Sequence, residues 1–366
     1  MGLLFKSLLI FSILTNVVHA EDEKIGDIVI SDSFLDEKVV DDAFKMPNYR
    51  KEMRDNIILL SDYAKEINKD FIIVTRQGGA LLNIGAWEEH LEEYKIAASR
   101  GVFGKDDVFI EKMFNPEDMN TLPIGTPLSS YSSSIDGIIE DIHNCDNNVL
   151  SNEAIKEIEN KGIVRMKIRY CENNDKFINE IKNDKFLNNF SHDENGEFSK
   201  IPNSEPLFVN SDNVKGLRDA KNMLVLDNPK DFDNKSEFLM KLQDTNYDLL
   251  VVSAFFNKKQ PLIKEDVASL KYKKIGAKRL VFAMMDVARM GEEDFYFKKE
   301  FTLKNPKWIV FMDKKYPSKY VVEYFNPDFK RILGKYFKGI MDLGFDGVVF
   351  NGVDAHFVFE KNAGID

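Results

Sequence analysis

Asn351 and Asp354 stand just beyond an apolar run, Gly347-Val348-Val349-Phe350, that follows a helical stretch from Phe329 to Met341 and a turn at Gly344. A buried strand that ends abruptly in polar side chains delivers them to the C-terminal mouth of an α/β sheet, where enzymes of that architecture do their chemistry. A second group of acids, Asp136, Glu140 and Asp141, lies in Ser134-Ile135-Asp136-Gly137-Ile138-Ile139-Glu140-Asp141. Three acids this close to an apolar core suit a strand end facing a polar cleft. A solvated loop with Asp136 capping a turn fits the same residues. Other chemistries have little support. His90, His143, His192 and His356 show no pair at metal-ligand spacing, so no metal site is expected. There is no Gly-x-Ser-x-Gly elbow, and neither Cys145 nor Cys171 sits in a nucleophile signature. Gly101–Lys105 and Gly78-Gly79 both lack the spacing of a phosphate loop, and no cofactor is expected.

The elements that must position these residues follow a regular pattern. Met53, Ile57, Leu60, Ala64 and Ile67 recur at helical spacing over Tyr49–Ile67. Short apolar runs at Ile28–Ile30, Phe71–Val74, Val164–Ile168, Asn222–Leu226, Tyr247–Val252, Arg279–Met284, Trp308–Phe311 and Gly347–Phe350 predict eight strands separated by helices. That count predicts an α/β fold, a (β/α)8 TIM barrel, which commonly takes about 250 residues. The Asn-, Asp- and Lys-rich stretch from Glu172 to about residue 205 reads as a polar surface insertion without chemistry.

Lys6, the apolar run Leu8–Val18 and Ala20 before Glu21-Asp22-Glu23 predict a signal peptide over residues 1–20, with an uncleaved anchor as the alternative. The expectation is a secreted or periplasmic protein with one domain over residues 21–366 and no later membrane span. The net charge of −11 argues against nucleic acid as a partner, since phosphates need clustered Lys and Arg. Export permits a Cys145–Cys171 disulfide, and two buried thiols fit equally well.

Several segments carry a resemblance. Leu343-Gly344-Phe345-Asp346-Gly347-Val348-Val349-Phe350-Asn351-Gly352-Val353-Asp354-Ala355 is similar to "GFDGVYLD-x-VDA", and Val322–Phe329 is similar to "V-(K/R)-YWDPEW". Tyr247–Ser253, Arg279–Met284, Asn305–Trp308, Met53–Leu81 and Ser134–Asp141 look like further segments of the same family. That family is the TIM-barrel glycoside hydrolases related to endo-α-1,4-polygalactosaminidases. The order of the segments differs, which implies a circular permutation. A closed barrel tolerates that because its ends lie close together.

The resemblance implies an amino-sugar polysaccharide as partner and hydrolysis by two carboxyl groups. The family's acids are only partly retained. Ser253 stands where the family has Asp, Arg289 where it has Glu, and Asn351 where it has the Asp after the strand, while Asp286 brings an acid to the family's Ser position. The expected catalytic set is therefore Glu140, Asp286 and Asp354, with Asp141 as the alternative to Glu140. Arg76, Gln77, Asp136, Asp141, Ser253, Arg289, Tyr324 and Asn351 are the expected substrate-binding residues. Trp87, Trp308, Tyr324 and Phe325 offer faces for sugar stacking, though core packing suits each of them. Asn cannot exchange a proton as a carboxyl does. A barrel that binds glycan without cleaving it, and a non-catalytic scaffold, remain the alternative readings.

Overall fold

The computed structural model describes residues 45–99, 122–143, 150–170, 178–179, 187–192, 196–314, 316 and 318–363. The leader, Ile28–Ile30, Cys145 and Cys171 lie outside the described residues. The chain divides into two units, 1–46 with 95–113, and 47–94 with 114–366. Of the first, only Lys45, Met46 and the tail of one helix are described. The second carries the sheet.

Eight strands make that sheet: β1 Ile72–Arg76, β2 Gly137–Ile142, β3 Val164–Arg169, β4 Leu187–His192, β5 Met223–Leu226, β6 Leu249–Ser253, β7 Leu280–Asp286 and β8 Gly347–Asn351. Their order is β4-β3-β2-β1-β8-β7-β6-β5, and every pairing is parallel. The order is cyclic in sequence. β1 lies beside β8, with Ile72 opposite Gly347.

Side chains alternate between the two faces. Val74, Ile139, Met166, Val225, Val251, Phe282 and Val349 meet in one buried cluster on the inner face of a curled sheet. Ile73, Ile138, Leu224, Leu250, Val281 and Val348, each one residue out of step, pack instead with the helices. The helices are α1 Tyr49–Ile67, α2 Ala86–Ser99, α3 Asn152–Lys161, α4 Lys235–Gln243, α5 Lys264–Leu270, α6 Pro327–Asp342 and α7 His356–Asn362, and all but α2 contribute buried residues to this second cluster. α1 buries Met53, Ile57, Leu60 and Ala64 of the stripe its spacing predicts, while Ile67 at its end is exposed. Asn48 caps it by accepting from the Lys51 N–H at 2.9 Å. α6 begins with Pro327 after the cap Asn326, so the segment similar to "YWDPEW" is a helix start.

Three strand assignments differ from expectation. Ile309–Met312 is not in the main sheet; it pairs antiparallel with Lys319–Val322, which pairs in turn with Arg289–Gly291. A short apolar run does not say which sheet it joins. β2 forms from the acid-bearing segment read as a strand end or loop. β4 lies inside the polar stretch read as an insertion. No helix among the described residues is long and apolar enough to cross a membrane.

Candidate functional site

The strand alternation sets the site. Two residues beyond the inward Val74, Ile139, Ile168, Val225, Val251, Met284 and Val349 stand Arg76, Asp141, Tyr170, Asp227, Ser253, Asp286 and Asn351. These polar positions crown the apolar interior at the C-terminal ends of the strands. They fall into two groups.

The first group centres on Asp286, opposite Asn351 in the β7–β8 register. Asn351 Nδ2 donates to Asp286 Oδ1, and Lys319 Nζ donates to Oδ2. Burial pushes the Asp286 carboxyl up, but Lys319, Lys258 and Arg289 outweigh it and hold the group at about 2. Lys319 opens the antiparallel strand Lys319–Val322, so a strand outside the main sheet supplies the counter-charge. Asp286 lines a small pocket, with about 30 Å³ of free space, together with Asp227, Ser253, Lys258 and Asp294. Asp294 accepts from the Gly291 N–H at 2.8 Å and lies 3.4 Å from the Tyr296 hydroxyl. Burial raises its carboxyl from the ordinary value, opposed by Lys258 and the Gly291 N–H and aided by the Asp286 charge. One pocket thus holds an acid kept ionised and an acid pushed towards its protonated form. Phe255 and Phe295 stack at 4.7 Å on the pocket wall, and Phe295 is 49% exposed.

The second group is Arg76, Gln77, Asp141 and Tyr170. Arg76 grips Asp141 with two bonds, Nε to Oδ1 at 3.0 Å and Nη2 to Oδ2 at 3.1 Å. Arg76 Nη2 also donates to the Tyr170 hydroxyl at 2.8 Å, and Gln77 Nε2 donates to Asp141 Oδ2 at 2.9 Å. Burial alone lowers the Arg76 guanidinium, but Asp141 more than reverses this. Gln77 has φ 65°, a left-handed conformation that non-glycine residues seldom adopt, and it turns its amide onto Asp141.

Several expected site residues lie elsewhere. Glu140 shares the phase of Ile138, faces the helix layer and pairs with Arg165 at 2.9 Å, so Asp141 is the mouth carboxylate of β2. Asp136 precedes β2 at the opposite end of the sheet, where it accepts from the Ile73 N–H and from Lys65. Asp354 follows β8 but is held by Arg289 Nη1 at 2.9 Å, and Arg289 Nε also bonds Asp313 at 2.6 Å. Arg289 is a buried tie between two acids. Tyr324 is fully buried, and its hydroxyl donates to the Tyr49 carbonyl at 2.7 Å, so it packs the core. Trp87 and Trp308 are buried too. Ser253 keeps its place on the pocket wall, where its Oγ accepts from the Phe255 N–H.

Asp227, Lys258, Asp294 and Lys319 were not expected. Asp227 carries the same signal as Asn351, a polar residue closing an apolar run, Met223-Leu224-Val225-Leu226. Asp294 comes from a connecting segment without periodicity, and Lys319 from a short strand outside the main sheet. Among the described residues, no group of three or more His, Cys, Asp or Glu is arranged to hold a metal ion.

No family model matches the chain. Over 92 residues it is 28% identical to an uncharacterised protein of the archaeon Methanocaldococcus jannaschii, a stretch covering 25% of this chain and 26% of that protein. The chain thus aligns with about a quarter of that relative's length. The class that stands is an α/β protein with a curled, all-parallel sheet and a polar mouth at its C-terminal end.

Proposed function

We propose that this chain is an exported glycoside-hydrolase-like (β/α)8 barrel that cleaves an amino-sugar polysaccharide of the galactosamine type. The observation that carries the reading is the pair Asp286 and Asp294, two carboxyls in one pocket whose ionisation is driven in opposite directions. Environments that split two acids in this way define a proton donor and an ionised partner. Asp294 supplies the proton to the leaving oxygen, and Asp286 supplies negative charge to an oxocarbenium-like transition state. The cyclic strand order supports the barrel, whose ring then closes between β4 and β5. Export rests on the leader read from residues 1–20, and the intact mass of the protein recovered outside the cytoplasm would lack that segment.

The test is turnover of an α-1,4-linked galactosamine polymer by the parent and by Asp294→Asn. The variant should lose on the order of 10²–10⁴ in kcat. The rate of the parent should fall as pH rises through the raised Asp294 value, because the donor must be protonated. A parent without turnover, or a variant as fast as the parent, would sink the hydrolase reading.

A second reading has its own observation. Both oxygens of Asp286 are engaged by Asn351 and Lys319, as expected of a barrel that binds glycan without cutting it. A parent that binds the polymer without turnover, with turnover gained in Asn351→Asp, would favour this reading.

A further inference from the structure

We propose that Asp227, rather than Asp286, is the carboxylate that activates the attacking water in this pocket, working with Asp294 as the acid. This rests on the hydrolase reading and assigns a residue that reading leaves open. Three observations carry it. Asp227 follows the last residue of β5, in step with the inward Val225, and lines the same pocket as Asp294 and the Phe255–Phe295 stack. It makes no hydrogen bond or ion pair with any described residue, so its oxygens are open to a ligand or water. Asp286, by contrast, has Oδ1 committed to Asn351 and Oδ2 to Lys319. A carboxylate so engaged is a weak base and a fixed one, suited to anchoring charge. Among the described residues Asp294 is engaged on one oxygen, by Gly291 and Tyr296, which leaves its other oxygen to carry the acidic proton.

The step balances as follows. The Asp294 proton passes to the glycosidic oxygen as the bond from the anomeric carbon breaks, and the bonding pair leaves with that oxygen. A water oxygen forms the new bond to the anomeric carbon, and its proton passes to Asp227. Asp227 then gives up that proton and Asp294 regains one through solvent, so the net change is addition of one water. Because water attacks directly, the product has inverted anomeric configuration.

The experiment compares the parent, Asp227→Ala and the near-isosteric Asp227→Asn on an α-1,4-linked galactosamine oligomer, with and without azide, an anion that needs no base. Both variants should keep the thermal midpoint of the parent and lose on the order of 10²–10⁴ in kcat. Azide should restore turnover to Asp227→Ala and yield a glycosyl azide of inverted configuration, which a merely structural role would not produce. If the parent turns over but Asp227→Ala keeps more than a tenth of kcat, gives no azide product, or gives retained product, the assignment of Asp227 falls and the hydrolase reading stands. If the parent does not turn over, both fall together.

Discussion

Asp286 couples the site to the stability of the molecule. Burial would raise its carboxyl, but Lys319 and its neighbours depress it from 3.8 to about 2. A depressed carboxyl contributes stability that is fully present above its unfolded value and is lost as pH falls through the folded one. The shift corresponds to about 2 kcal/mol. Urea unfolding of the parent and of Asp286→Asn should therefore differ most above pH 4, with the gap narrowing by about that amount towards pH 2. A gap that stays constant would mean the carboxylate is not held by its neighbours. The same residue shows what was legible at this scale. Asn351 was found because it closes an apolar run, and Asp286 because the resemblance places an acid there. Glu140 faces the helix layer and Asp141 the mouth because a strand has period two, and a one-residue step in phase exchanges the two. Lys319 reaches the site from a short strand outside the main sheet and Asp294 from a connecting segment, and no local pattern fixes the course of either.

At the scale of elements, the opposite end of the sheet is stapled by a recurring device. An Asp just before a strand accepts from a backbone N–H of a neighbouring segment and from a lysine. Asp136 precedes β2 and takes Ile73 and Lys65, Asp346 precedes β8 and takes Val281 and Lys271, and Asp248 precedes β6 and takes Lys221 N–H and Lys273. The Asp248–Lys273 pair is fully shielded, with both side chains at 0% exposure. Lys273→Met should cost about 3–5 kcal/mol, because it leaves a buried carboxylate without its counter-ion. Lys65→Ala, at a pair one-third exposed, should cost no more than about 1 kcal/mol. Chemical denaturation of both variants would separate the two kinds of staple, and equal losses would contradict this account. Gly347 shows the same tight construction, since a Cβ there would lie 2.4 Å from the Ile72 carbonyl oxygen on β1. Gly347→Ala should lower stability by about 1–3 kcal/mol through overpacking between two backbones. Most elements were legible because helical and strand periods differ, as α1 and β5 to β8 attest. β4 was not: Leu187–His192 lies in Asn- and Lys-rich sequence with too few apolar residues to mark a strand. Ile309–Met312 looked like a barrel strand because its composition does not tell an antiparallel partner from a parallel one.

At the scale of the whole molecule, the order β4-β3-β2-β1-β8-β7-β6-β5 constrains what happens at its two ends. Seven pairings between the eight strands are hydrogen-bonded in parallel, including β1 to β8, the first and last strands of the sheet in sequence. An exposed edge on so long a parallel sheet would be unusual, because parallel strands are normally covered on both faces and unpaired edges invite association. In a parallel ladder, the N–H groups of one strand alternate between its two neighbours. About half of the β5 amides in Met223–Leu226 therefore point away from β6, towards the position β4 would fill in a closed ring. If the ring closes in solution, those amides should exchange with deuterium as slowly as the amides of β8, by residue-resolved hydrogen exchange. If β5 is a true edge, that half should exchange orders of magnitude faster than the half bonded to β6. The contrast within one strand makes the test independent of overall stability, since global unfolding exposes both halves alike.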